Sequence, residues 1–124
     1  MKSKKSTVVF GASINPARTA YIAAQRLLNA NISTVLLSIK AGELFGQEFI
    51  DMKTRPALEN VHTVTLYIGT KNQAEWIDFI LSLNPKRIIF NPGTENFEFA
   101  KAAQQQGIET LNACTLVMLG TGQY

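Results

Sequence analysis

Apolar residues in this chain gather in short, nearly continuous runs, and these runs alternate with stretches of helical spacing. Thr7–Phe10, Ser33–Ile39, Thr63–Ile68, Arg87–Phe90 and Ile108–Leu111 each read as a strand. Their apolar residues do not alternate with polar ones, the pattern expected of strands covered on both faces. Ala20–Asn31 is alanine-rich, with Ile22, Leu27 and Leu28 at helical spacing. Thr70-x-x-Gln73 reads as a capping box that opens a helix reaching about Leu83, with Trp76, Ile77, Ile80, Leu81 and Leu83 on its apolar face. Asn84-Pro85 ends that helix. Thr94–Gln106 forms the next helix, stopped by Gly107, and Ala113–Leu119 a short closing one. Leu44–Leu58 is less regular and is expected to cover an edge.

This alternation predicts a three-layer α/β domain with a five-stranded, mainly parallel sheet joined by right-handed helical crossovers. The chain has 124 residues, enough for one domain. Residues 1–6 read as a basic tail and residues 7–124 as the domain. Net charge is +3, from 12 basic and 9 acidic residues. Lys2, Lys4 and Lys5 supply much of that excess, so no basic stripe is left to suggest a nucleic-acid partner. A single cysteine, Cys114, excludes an internal disulfide framework and suits a reducing compartment. No apolar run approaches the ~20 residues of a membrane helix. The expectation is a cytoplasmic protein with no membrane partner.

In parallel α/β sheets ligands bind at the carboxyl ends of the strands, near the switch in strand order. The first strand runs into Gly11-Ala12-Ser13-Ile14-Asn15-Pro16-Ala17-Arg18. Gly11 permits a tight turn and a close backbone approach, Ser13 adds a hydroxyl, and Arg18 offers a forked donor matched to phosphate. The following helix contributes unpaired N–H groups and a positive dipole end, its cap being either Asn15 with Pro16 first, or Thr19. A dinucleotide fingerprint with three glycines is absent. So is the acidic residue that would hold ribose hydroxyls after the second strand; Lys40 stands there and favours a phosphate. Two further turns, Ile68-Gly69-Thr70 and Asn91-Pro92-Gly93, deliver glycines and helix starts to the same edge.

Together these residues resemble the small, stand-alone CoA-binding domain family: single Rossmann-like domains similar to the CoA-binding domain of the succinyl-CoA synthetase α subunit. The opening motif Gly11 to Arg18 is the specific part; Gly93, Gly107-Ile108 and Asn112-Ala113-Cys114 are weaker matches. The resemblance implies coenzyme A or an acyl-CoA lying across the strand ends. Carried over by position, Gly11, Ala12, Ser13, Pro16, Arg18 and Lys40 would meet its adenosine-phosphate end, and Ile68, Gly69, Thr70, Asn91, Pro92 and Gly93 would flank the pyrophosphate or pantetheine.

No catalytic or metal-binding constellation is read from the chain. His62 precedes the third strand and falls at the edge opposite the cleft, Cys114 suits a small buried hydrophobe, and Glu43, Glu48 and Asp51 suit a solvated face. Phe97 and Phe99 point to different sides of one helix; one is core and the other, with Tyr124 and Phe45, suits self-association. Three functions follow: non-catalytic binding of CoA or acyl-CoA for sensing or presentation, an NADP-binding oxidoreductase-like protein, or a regulatory protein-interaction domain. A second copy of the chain and a partner enzyme both remain open as partners.

Overall fold

The computed structural model describes residues 6–124; the lysines of the basic tail lie outside the described residues. The strands are β1 (Ser6–Phe10), β2 (Ser33–Ser38), β3 (Glu43–Leu44), β4 (Gln47–Glu48), β5 (Ile50–Asp51), β6 (Val61–Leu66), β7 (Arg87–Phe90) and β8 (Glu109–Asn112). The helices are α1 (Thr19–Asn29), α2 (Ile77–Ser82), α3 (Phe97–Gln105) and α4 (Thr115–Gly120). β3 and β4 form a small antiparallel hairpin. The other six strands make one sheet in the order β5-β2-β1-β6-β7-β8, and every neighbouring pair in it is parallel. This is the doubly wound order, and it reverses direction between β1 and β6.

Both faces of the sheet are covered, which accounts for the unbroken apolar runs. Val8 and Phe10 point into a cluster with Trp76, Phe79, Ile80 and Phe99 from the α2–α3 side. Val9 and Leu36 point the other way, against Ala24 and Leu27 of α1. Phe10 meets Trp76 edge-on with ring centroids 5.6 Å apart, a favoured aromatic geometry.

The sheet has six strands where the pattern predicts five. The added strand, β5, lies inside the irregular Leu44–Leu58 stretch and pairs with Leu37 and Ser38. Two residues are too few to show a period. The last strand is also shifted, beginning at Glu109 and not Ile108.

Helix boundaries differ for identifiable reasons. Thr70 and Gln73 form no capping box. The Thr70 hydroxyl donates to Glu95 O at 2.6 Å, and buried Gln73 donates through Nε2 to Ile68 O and Thr94 O at 2.8 and 2.7 Å. Two short 3₁₀ turns therefore precede α2, which begins only at Ile77. α3 begins at Phe97 and not Thr94, capped by Asn96, whose side chain accepts from Phe99 N at 3.1 Å. Neither Asn15 nor Thr19 caps α1; Arg18 occupies that position without a side-chain cap bond. The end of α3 follows expectation: Gly107 adopts φ 86°, with Gly107 N donating to Gln104 O and Ile108 N to Ala103 O, the paired bonds of a Schellman ending.

Candidate functional site

A cavity of about 490 Å³ opens where the carboxyl ends of β1, β2, β5 and β6 converge. Ligand pockets commonly span roughly 300–1,000 Å³. Gly11 and Ala12 come to it from β1, Ser38 and Ile39 from β2, and Ile68 from beyond β6. Met52, Lys53 and Arg55 enter from the turn after β5, and Asn72, Glu75 and Trp76 from the two turns before α2. The wall is thus largely apolar, with charged groups at Lys53, Arg55 and Glu75.

The first loop is shaped by its own hydrogen bonds. Gly11 N and Ala12 N both donate to Leu37 O, at 3.0 and 2.8 Å, which ties the loop to β2. Ser13 Oγ accepts from Asn15 N at 3.1 Å, and Asn15 Oδ1 from Ala17 N at 3.0 Å. Such local bonds are a usual way for serine and asparagine to fold a turn. Gly11 holds φ 104°, and a Cβ there would stand 3.1 Å from Ile68 Cγ1 and 3.3 Å from the Tyr67 carbonyl. Its freedom is used to press β1's exit against the exit of β6.

Among the residues singled out from the sequence, Gly11, Ala12 and Ile68 line this cavity. Ser13 folds the loop beside it, while Pro16 and Arg18 are exposed further along the same loop. Lys40 is exposed beyond Ile39, its N–H donating to Ser38 Oγ at 3.2 Å. Gly69 and Thr70 are exposed after Ile68, and Pro92 and Gly93 after β7, with Gly93 N donating to Glu95 Oε1 at 2.8 Å. None of these borders the cavity. The sequence reading missed Lys53, Arg55 and Trp76. Had β5 been recognised as a strand, the carboxyl-end rule would have pointed to the Met52-Lys-Thr-Arg55 segment that follows it.

Arg55 is held firmly for an exposed side chain. Its backbone sits in the left-handed region, at φ 43°. Its guanidinium lies 4.6 Å from the centre of the Trp76 ring, and Nη2 donates to Glu75 O at 3.2 Å. Asp51 caps the preceding turn, accepting from Lys53 N at 2.9 Å.

Asn91 serves a different place. It is buried, its Nδ2 donating to Thr65 Oγ1 and Leu66 O at 2.7 and 2.9 Å, and its Oδ1 accepting from Thr115 N at 2.9 Å. It belongs to a polar strip between the sheet and α4. There Thr65 and Thr115 hydroxyls lie 2.7 Å apart. Buried Arg87 donates to Thr63 Oγ1 at 2.8 Å and stacks 4.5 Å from the Tyr124 ring centre. The Tyr67 hydroxyl is buried beside this strip without a hydrogen-bond partner among the described residues. Burial pushes its phenol up to about 12. The nearby Thr65 and Thr115 hydroxyls pull the other way but bond to each other, so burial wins.

His62 lies near the amino end of β6, away from the cavity, with Nδ1 2.8 Å from the Thr63 hydroxyl. Half-buried Cys114 precedes α4. Asp51 is taken up by its cap. Phe99 is the core member of its pair, and Phe97 is 82% exposed. Tyr124 packs under Arg87 and leaves the self-association surface expected of it; Phe45 meets Tyr21 with centroids 5.4 Å apart. Among the described residues, no helix is long and apolar enough to cross a membrane.

A family model described as a CoA binding domain matches residues 5–120. No curated protein matches the chain. Among solved structures, an uncharacterized protein is similar at 44% identity and TM-score 0.93, covering 99% of this chain and 100% of its own. A Thermus thermophilus protein is similar at 20% identity and TM-score 0.80, covering 97% and 90%. A hypothetical protein from Pyrococcus horikoshii gives 24% identity and TM-score 0.82, covering 95% and 82%. The last two likenesses speak to fold alone.

Proposed function

The chain belongs to the CoA-binding domain family, and we propose that it binds coenzyme A or an acyl-CoA at the carboxyl edge of its sheet without chemistry of its own, as a sensing or presenting module. The observation that carries this reading is the cavity at the exits of β1, β2, β5 and β6. It offers apolar wall for a base and cations for phosphate, at the position where doubly wound sheets take nucleotides. From it, the remaining length of such a ligand would run over the first loop and Arg18 toward the turns at Gly69 and Gly93. The uncapped start of α1 adds N–H groups and a positive dipole end.

Isothermal titration with CoA, acetyl-CoA and NADPH tests the proposal. CoA and acetyl-CoA are expected to bind at micromolar concentration and NADPH much more weakly. No CoA binding below millimolar concentration would overturn it, and tight NADPH binding would favour an oxidoreductase-like role. Acetyl-CoA held with the protein should hydrolyse no faster than in buffer; faster loss would remove the non-catalytic part.

A further inference from the structure

We infer that Lys53 and Arg55, on the turn after β5, read a phosphate monoester on the ligand's nucleotide end and set its specificity. This rests on the CoA reading above and assigns the recognition within it. The loop that the sequence recommends for phosphate has already spent many of its donors. Gly11 N and Ala12 N bond to Leu37 O, while Asn15 N and Ala17 N bond to side chains of the loop itself. The cations that line the cavity come from elsewhere, Lys53 and Arg55.

Arg55 is arranged as a reader and not a loose surface charge. Its guanidinium carbon lies 4.6 Å from the centre of the Trp76 ring, which holds the head group against that ring, and the bond to Glu75 O uses one N–H of five. Among the described residues nothing else engages the fork, which leaves an edge to meet two oxygens of one phosphate, the geometry in which arginine surpasses lysine. Lys53 adds a second, mobile charge to the same cavity. Glu75 also lines the cavity, and its negative charge opposes an anion there, so one cation alone would be largely offset and the pair is required. Ile39, Met52, Ile68 and Trp76 supply the apolar wall beside these charges, as suits a base linked to the phosphate through a sugar.

The chain has one tryptophan, Trp76, so its emission reports binding at this cavity. The test titrates CoA and dephospho-CoA, which differ only in the 3′-phosphate, into the full chain and into the Arg55→Gln, Lys53→Gln and Lys40→Gln variants, with Lys101→Gln on α3 as a charge-matched control. Calorimetry accompanies emission, because Arg55→Gln itself alters the environment of Trp76. The full chain and Lys101→Gln should prefer CoA by tenfold or more. Arg55→Gln and Lys53→Gln should each lose about tenfold in CoA affinity, as expected for a lost charge-assisted bond, and less than twofold for dephospho-CoA. Arg55→Lys should recover only part of the preference. Equal affinity of the full chain for both ligands would overturn the inference and leave CoA binding standing. So would a preference abolished by Lys40→Gln alone, or equal losses for both ligands in the Arg55 and Lys53 variants. Failure to bind either ligand would instead sink the functional reading itself.

Discussion

Replacing Gly11 with alanine adds one carbon where the exits of β1 and β6 meet. Two costs combine. The backbone sits at φ 104°, outside the regions open to side-chain-bearing residues, and holding alanine there costs roughly 1–3 kcal/mol. The new Cβ would also meet Ile68 Cγ1 at 3.1 Å and the Tyr67 carbonyl carbon and oxygen at 3.3 Å. Ile68 is half-buried and can turn aside, but the Tyr67 backbone is tied to β1 by Tyr67 N donating to Phe10 O at 2.9 Å. Relieving such crowding typically costs about 1–3 kcal/mol. The sum, about 2–6 kcal/mol, is a large share of the ~5–15 kcal/mol that holds a domain folded. In urea unfolding, at a mid-range slope of about 2 kcal/mol/M, the midpoint should fall by about 1–3 M with the slope unchanged. Gly69→Ala is the matched control: φ is −58° and nothing lies within 4 Å of its would-be Cβ. That change should be neutral, or stabilising by up to about 1 kcal/mol through the unfolded chain. A loss below about 1 kcal/mol at Gly11, or equal losses at both glycines, would refute the claim that close packing of the β1 and β6 exits demands glycine.

Tyr67→Phe should stabilise the protein by about 1 kcal/mol in thermal or urea unfolding, because it removes a buried hydroxyl that has no partner among the described residues. The same residue gives an alkaline signature. Its phenol is raised from 10.0 to about 12 in the folded state, so the unfolded chain loses that proton first and stability falls as pH rises from about 10 to 12, by at most about 2.7 kcal/mol. The fall should be shallower in Tyr67→Phe; identical pH profiles would refute the assignment. Asn91→Ala should cost about 2–4 kcal/mol, since it strands Thr115 N and leaves Leu66 O and Thr65 short of a donor; a loss under 1 kcal/mol would show that the strip tolerates the gap. CoA at 100 times its dissociation constant should raise unfolding stability by about 2.7 kcal/mol, read as a concentration-dependent rise in melting temperature, and a flat melting temperature would contradict binding to the folded state.

Local pattern carried much of the architecture. β1, β2, β6 and β7 are short apolar runs, and covering both faces of a sheet requires that composition wherever it occurs. Gly107 marked the end of α3 because a left-handed residue there closes the helix carbonyls whatever packs around it. Gly11 was legible as a position needing glycine, and the loop it begins borders the cavity at the strand ends. Where local rules competed with distant partners, they lost. Thr70 and Gln73 have the spacing of a capping box, yet each found better acceptors on the turn after β7, some 20 residues away in sequence. Asn91 looked like a ligand-facing turn residue and is instead occupied by β6 and the start of α4.

The site divides in the same way. Residues at the ends of strong strands, Gly11, Ala12 and Ile68, could be placed at the cavity from the chain alone. Lys53 and Arg55 could not, because β5 is two residues long and carries no period, and its position depends on pairing with β2; Trp76 reads as part of the apolar face of a helix that instead begins only at Ile77. A strand of that length gains its hydrogen bonds only from a neighbour already in place, so no local preference announces it. The succession of strands and helices was therefore written along the sequence, whereas the cations that reach the cavity were decided by which strand lies beside β2 in the folded sheet.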